Sequence, residues 1–327
     1  MKIIKSNIEI ALEFKPAVNI DDICFFDIET TGLSREYHSI YLIGALYYNK
    51  SSNDWTLVQF FADNLREEEE LLTSFIDMAK DFEILITYNG DSFDIPFVKR
   101  RLEKYLRHWD EPKSIDLYKY VKNHRSMLGM PDLKLKTLEM HLGIFRDDLI
   151  SGKDCIGLYR TYTSTNDDEL LHPILQHNYD DLQYMPYLLE IYNIVEEHKT
   201  IEISSLNPTV RFFLDTVDLA EEKLMVKGIY NPNLSVPWSF YKSFYTLILD
   251  GDGIFRFEIE TRKVRLSEDI IADIVDARSI EDMSVKSDLS PHETPEGILI
   301  LRANKELYME NIKMIFENLF IYHLNSD

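Results

Sequence analysis

The sequence predicts an α/β fold, with a mixed sheet and flanking helices followed by a smaller C-terminal α+β module. Three features carry that expectation. Three apolar segments of strand length come first, then a helix, then strands and helices in alternation. Acidic residues stand where strands are expected to end and helices to begin. Beyond residue 198 the pattern turns to hairpins, so the expected domains are residues 1–198 and 199–327.

The elements follow in order. Residues 1–20 read as a lead-in with a short strand, and 22–28 as the first core strand. Ser39–Tyr48 and Trp55–Ala62 are two more strands, and the polar cluster Asn49–Asp54 joins them as a hairpin. Asn64 and Glu67 have capping-box spacing. The next segment, to Lys80, carries Leu71, Leu72, Phe75, Met78 and Ala79 at helical spacing. Glu83–Tyr88 is a short buried strand. It leads through Asn89 and Gly90 into a helix in which Ser92 would be the cap and Pro96 lies in the first turn. Asp116 reads as an N-cap or as a supporting partner of the site. Residues 133–144 form an amphipathic helix ended by Gly143, then a polar loop over 145–153 and a short segment over 158–163. A long helix from Asn166 to about Glu197 should be kinked or split by Pro186. In the second half, 225–230 is a strand, 244–249 and 254–260 form a hairpin about Asp250–Gly253, 263–266 adds a strand, and 306–323 is helical. The Asp250–Gly253 segment lacks the spaced ligands of a Ca²⁺ loop and reads as a turn.

Composition narrows the function. A net charge of −22 argues against coating duplex nucleic acid by bulk electrostatics. One stretch runs the other way: residues 99–136 hold eleven Lys and Arg against five acids, a local +6 that could serve as a binding face. No apolar run approaches the ~18–20 residues of a membrane helix, and no signal-peptide pattern stands at the start, so no membrane association is expected. Cys24 and Cys155 are too few for a disulfide framework, and the default location is cytoplasmic.

The chemistry concentrates in a few residues. Asp27 and Glu29 stand two apart at the end of the first strand, so an extended backbone projects both from one face. Two desolvated carboxylates repel unless a cation or a proton sits between them, and a hard divalent ion such as Mg²⁺ or Mn²⁺ is the simplest partner. The alternative is that the strand has already ended and both acids are solvated. Asp94 falls in the first turn of a helix, where its ordinary role is to complement the dipole. His177 and Asp181 are four apart and share a helical face. Four carboxylates and a histidine are what a two-metal hydrolytic site requires.

Three ordered segments carry a family resemblance over residues 21–195. Phe26-Asp27-Ile28-Glu29-Thr30-Thr31-Gly32 resembles the first motif of the DEDD superfamily of 3′–5′ exonucleases, which share a ribonuclease-H-like fold. Asn89 to Asp94 resembles the second motif, and His177 to Asp181 the third. The stretch from Leu135 through Glu139, Gly143 and Arg146 to Asp148 is similar to the bacterial YprB-like subfamily of exonucleases. In the superfamily's third motif a Tyr stands four residues before the Asp, or a His five before it; here a His stands at the tyrosine spacing. The resemblance implies a metal-dependent 3′–5′ exonuclease acting on single-stranded nucleic acid or 3′ ends with two Mg²⁺ or Mn²⁺ ions. Asp27, Glu29, Asp94 and Asp181 would hold the metals, and His177 would assist the attacking water. Thr30, Thr31, Leu33, Asn89 and Phe93 would bind the terminal nucleotide. The alternative is a catalytically weak nucleic-acid-binding or interaction protein on the same fold.

Overall fold

A computed structural model describes residues 1–11, 19–146, 150–204, 206, 209–231 and 237–326. The chain forms two compact units: Met1–Asn123 with Met130–Ile191, and His124–Gly129 with Tyr192–Asp327.

The first unit is built on strands β1 (Lys2–Ile8), β2 (Ile23–Thr30), β3 (Ile40–Asn49) and β4 (Asp54–Phe61). Helix α1 (Glu68–Ala79), β5 (Ile84–Thr87), α2 (Asp94–Lys104), β6 (Lys113–Asp116) and α3 (Leu117–Leu128) follow. After them come α4 (Leu135–His141), α5 (Gly152–Thr165) and α6 (Leu171–Tyr184), and then α7 (Glu190–Lys199), which from Tyr192 belongs to the second unit. The six strands lie in the order β1-β4-β3-β2-β5-β6. The first four pair antiparallel, and β2, β5 and β6 pair parallel. The sheet is therefore mixed, with β2 inside it, as the strand and helix order predicts. The expected hairpin closes with Asn49 opposite Asp54.

The pleat of β2 sorts its side chains. Cys24, Phe26 and Ile28 join a core with Leu71, Leu72 and Phe75 of α1 and Ile95, Phe97 and Val98 of α2. Asp27 and Glu29 are turned to the opposite face, where Tyr41 and Phe61 pack on Tyr159 and Tyr162 of α5 and Ile174 of α6. Asp27 pairs across the strands with Gly44, and there helix α6 comes so close that a Cβ on Gly44 would overlap Asn178 Oδ1 and Leu182 Cδ1.

Several local expectations are corrected. Strand β2 does not end at residue 28 but continues through Thr30, so its acids stay on the pleat. Asn64 caps a 3₁₀ turn rather than α1, and Glu67 accepts from the Asp63 N–H instead of closing a capping box. Phe93, not Ser92, precedes α2, with no side-chain cap. The short segment at 158–163 is part of a 14-residue helix whose Ser151 and Asp154 form a capping box. The helix expected from Asn166 opens instead with a 3₁₀ turn before α6, while the split expected at Pro186 is present as a 3₁₀ segment, Met185–Leu189, between α6 and α7. Much of the basic stretch is spent on ion pairs: Lys99 with Glu111, Arg100 with Glu36 and Glu103, Arg101 with Glu68, Arg107 with Glu69, and Lys119 with Asp91. The part of the polar loop over 147–149 lies outside the described residues.

The second unit adds β7 (Thr200–Ile203), β8 (Val210–Ala220), β9 (Lys223–Tyr230), β10 (Trp238–Tyr241), β11 (Tyr245–Leu249) and β12 (Ile254–Glu260). It is completed by β13 (Arg262–Arg265), β14 (Ile271–Asp276), β15 (Ile298–Ala303), β16 (Glu306–Leu307) and α8 (Met309–Leu324). Two antiparallel sheets, β10-β11-β12-β9-β8-β7 and β13-β14-β15-β16, share one core with α8, centred on Phe212, Phe255, Phe257, Phe316 and Phe320. Asp250 Oδ1 accepts from the N–H groups of Asp252 and Ile254, so that segment is a hairpin turn. Among the described residues no helix is long and apolar enough to cross a membrane.

Candidate active site

The site forms where the carboxyl end of β2 meets α6 and the start of α2. Because residues two apart on a strand share a face, Asp27 and Glu29 both project there. Asp94 opens α2, and its Oδ1 accepts from the Ile28 N–H at 3.1 Å, which ties the helix start to the strand between the two acids. The i, i+4 spacing on α6 brings His177 and Asp181 in together. His177 Nε2 lies 3.5 Å from Glu29 Oε1 and 3.9 Å from Asp181 Oδ2. The structure thus assembles Asp27, Glu29, Asp94, His177 and Asp181 from three elements.

The electrostatics show how crowded these acids are. Burial, then the charges of Asp94, Asp181 and Glu29, push Asp27 well above the usual carboxylate range. Burial with Asp181 and Asp94 pushes Glu29 up to about 8. Burial raises Asp94 to about 7, although the N–H groups of Ile28 and Asp94 itself hold it back. These are carboxyl groups that lack compensating positive charge.

Each acid also has a protein partner. Asn178 Nδ2 donates to Asp27 Oδ2 at 2.9 Å, and Gln59 Nε2 in turn donates to Asn178 Oδ1 at 3.0 Å. The Tyr41 hydroxyl reaches Glu29 Oε2 at 3.5 Å. Arg146 donates to Asp181 Oδ1 at 2.5 Å. Among the described residues, no three His, Cys, Asp or Glu side chains are gathered closely enough to hold a metal ion as they stand. The donor chemistry nevertheless fits a hard cation, since the buried acids are oxygen donors short of positive charge.

The five residues expected to bind a nucleotide take different positions. Thr30 is buried at the end of β2, where its hydroxyl donates to the Gly32 carbonyl at 2.9 Å. Thr31 Oγ1 accepts from the Ser39 N–H at 3.0 Å. Leu33 is 85% exposed on the segment that follows. Asn89 adopts a left-handed backbone (φ 68°) and gives its N–H to Asp116 Oδ1 at 2.8 Å. Phe93 packs its ring 5.3 Å from that of Phe97. Asp116 acts in both ways open to it: it also accepts from the N–H groups of Tyr118 and Asp91, and so braces the turn that delivers Asp94.

Sequence reasoning gave no role to Asn178, Gln59, Tyr41 or Arg146. Asn178 was within reach, because three residues before Asp181 is the same helical face. Gln59 and Arg146 meet the site only through pairings of 119 and 35 residues' separation, which no local pattern carries.

A family model of the RNase_H superfamily matches residues 24–193, just over half of the chain. This chain belongs to the RNase_H superfamily. Its first unit is accordingly a ribonuclease-H-like mixed sheet with flanking helices. The DNA polymerase III PolC-type of Ureaplasma parvum serovar 3 is 28% identical over 109 residues, covering 27% of this chain and 8% of that protein. The family B DNA polymerase of Pyrobaculum calidifontis superposes with a TM-score of 0.42 at 15% identity, covering 53% of this chain and 24% of that one. Escherichia coli exonuclease I in complex with a dT13 oligonucleotide superposes with a TM-score of 0.33 at 11% identity, covering 62% of this chain and 54% of that one. The chain thus spans about half or less of the length of each of these proteins.

Proposed function

We propose that this superfamily member is a divalent-metal-dependent 3′–5′ exonuclease that hydrolyses terminal phosphodiester bonds of single-stranded DNA or RNA in the cytoplasm, akin to the YprB-like subfamily. The observation that carries this reading is the crowding of partly buried Asp27 with buried Glu29 and Asp94 beside Asp181. Like charges withdrawn from water together call for cations. Asp27, Glu29, Asp94 and Asp181 would hold the two Mg²⁺ or Mn²⁺ ions. When bound, such ions stabilise charge on the phosphate and make water easier to deprotonate. His177 accepts the proton of the attacking water at Nε2, the nitrogen that faces Glu29 and Asp181. Thr30, Thr31, Leu33, Asn89 and Phe93 would meet the terminal nucleotide. The unit over 192–327 modulates the choice of substrate or partner.

The test is nucleotide release from a 3′-labelled single strand at saturating Mn²⁺. Wild type should release mononucleotides from the 3′ end only. His177→Ala should lower turnover about 10²–10⁴-fold, the usual worth of a positioned base, while Mn²⁺ still binds. His177→Tyr, which restores the residue usual at this spacing, should keep part of the activity. Equal rates for wild type and His177→Ala would remove the histidine from the mechanism, and cleavage of a circular strand would overturn the exonuclease reading.

One observation favours a second reading, a catalytically weak nucleic-acid-binding protein: Asp181, one of the four acids, is already held by a guanidinium. Strand binding with no Mn²⁺-dependent release would decide for it.

A further inference from the structure

Arg146 reaches the site from the segment that follows α4. Its side chain is 8% exposed. It donates from Nε to Glu139 Oε2 at 2.8 Å and from a terminal nitrogen to Asp181 Oδ1 at 2.5 Å. Glu139, on α4, is fully buried. Burial works against the guanidinium charge, and the charges of Asp181 and Glu139 outweigh it. Two features set this ion pair apart from a surface bridge. It is desolvated, and one of its acceptors is a member of the carboxylate cluster. Asp181 Oδ2 remains on the side of His177, so the arginine engages one oxygen and leaves the other turned inward.

We infer that Arg146 is the site's own counter-cation: anchored by buried Glu139, it neutralises Asp181 in the metal-free protein and thereby sets how tightly the cluster takes a divalent ion. Resting on the metal-site reading, this deepens it. A fixed positive charge beside a cation site repels the incoming ion and shares a ligand with it, and within a buried cluster neither effect is screened as it would be in water. The resulting protein holds its acids together before metal arrives and binds the ion more weakly than four free carboxylates would.

The experiment titrates Mn²⁺ into wild type, Arg146→Gln, Arg146→Lys, Asp181→Asn and the Arg146→Gln/Asp181→Asn double variant, reading free Mn²⁺ by electron paramagnetic resonance. Arg146→Gln should lower the Mn²⁺ Kd by about three- to tenfold. Arg146→Lys, which keeps the charge, should stay near wild type. In the Asp181→Asn background the same Arg146→Gln change should have a smaller effect, because the shared ligand is gone and only the repulsion by the arginine's charge is relieved. Should Arg146→Gln fail to fold, Arg146→Met keeps the stem's packing and takes its place. Unchanged or weaker Mn²⁺ binding in Arg146→Gln overturns the inference while leaving the metal site standing. Wild type that binds no Mn²⁺ overturns the metal-site reading and this inference with it. Neither readout depends on turnover.

Discussion

Asp27 is the most constrained residue of the site. It is inside the sheet, hydrogen-bonded by Asn178, and pressed by Asp94, Asp181 and Glu29. Asp27→Asn removes the repulsion and keeps an oxygen for Asn178, so it should raise the melting temperature of the metal-free protein by about 2–4 °C for each kcal/mol relieved. The same change should blunt the stabilisation that Mn²⁺ gives wild type. Thermal melts of both proteins with Mn²⁺ and with a chelator check both effects, and an unaltered Mn²⁺ response would count against Asp27 as a ligand. Asp282, in the second unit, is the opposite case. Burial would raise its carboxyl, but the Tyr245 hydroxyl at 2.5 Å, with Tyr322 and Lys242, holds it below the usual range. Its contribution to stability is therefore fully present above the unfolded carboxyl value of about 3.9 and is lost as the pH falls through the lower folded value. Asp282→Asn should accordingly destabilise the protein to the same extent at pH 7 and pH 5.5, and less at pH 3.5. A penalty that grows on acidification would exclude the assignment.

At the scale of elements, the site depends on how closely α6 approaches the sheet. Gly44 leaves the space that Asn178 and Leu182 fill, and this lets α6 bring His177 and Asp181 up to β2. Gly44→Ala should cost about 1–3 kcal/mol or more, as overpacking does, and should reduce activity beyond the loss of folded protein. Denaturant unfolding beside an activity measurement separates the two effects, and an Ala variant as stable as wild type would show that α6 does not need the space Gly44 leaves. The site was legible in the sequence because the strand period puts Asp27 and Glu29 on one face and the helix period puts His177 and Asp181 on another. The elements around them were harder to read. Helix α5 carries Gly157 and a run of threonines and tyrosines, residues that favour helices weakly. It forms because Ser151 and Asp154 cap it and because Tyr159 and Tyr162 are buried against the sheet. Strand β8 alternates cleanly only as far as Leu214, where a bulge shifts its register. Arg146 was visible as a letter in a motif, but its partner lies on another element.

For the whole molecule, the division near residue 198 inferred from pattern and the division into compact units differ in two respects: the boundary falls at Tyr192, within α7, and a segment of α3 changes sides. Residues 124–129, the end of α3, group with 192–327. Met127 packs on the apolar core that contains Phe212 and Phe316, and the Ser126 hydroxyl donates to the Lys305 carbonyl. A fragment of residues 1–198 should therefore keep the sheet and the acid cluster yet melt below the first transition of the full chain, with apolar surface exposed around Met127. Calorimetry of the fragment and the full chain, with a hydrophobic dye, tests this. A fragment that melts with the full chain and binds no dye would show that the end of α3 needs nothing beyond residue 198.

That excursion of α3 also sets a timetable for the ribosome. Ser126 and its acceptor are 179 residues apart in the chain. At ~5–20 residues per second, the end of α3 emerges roughly 10–40 s before the β15–β16 turn it joins. During that interval the nascent chain carries an apolar helix end whose partners have not been made, and an early chaperone contact or a pause in translation would act there first.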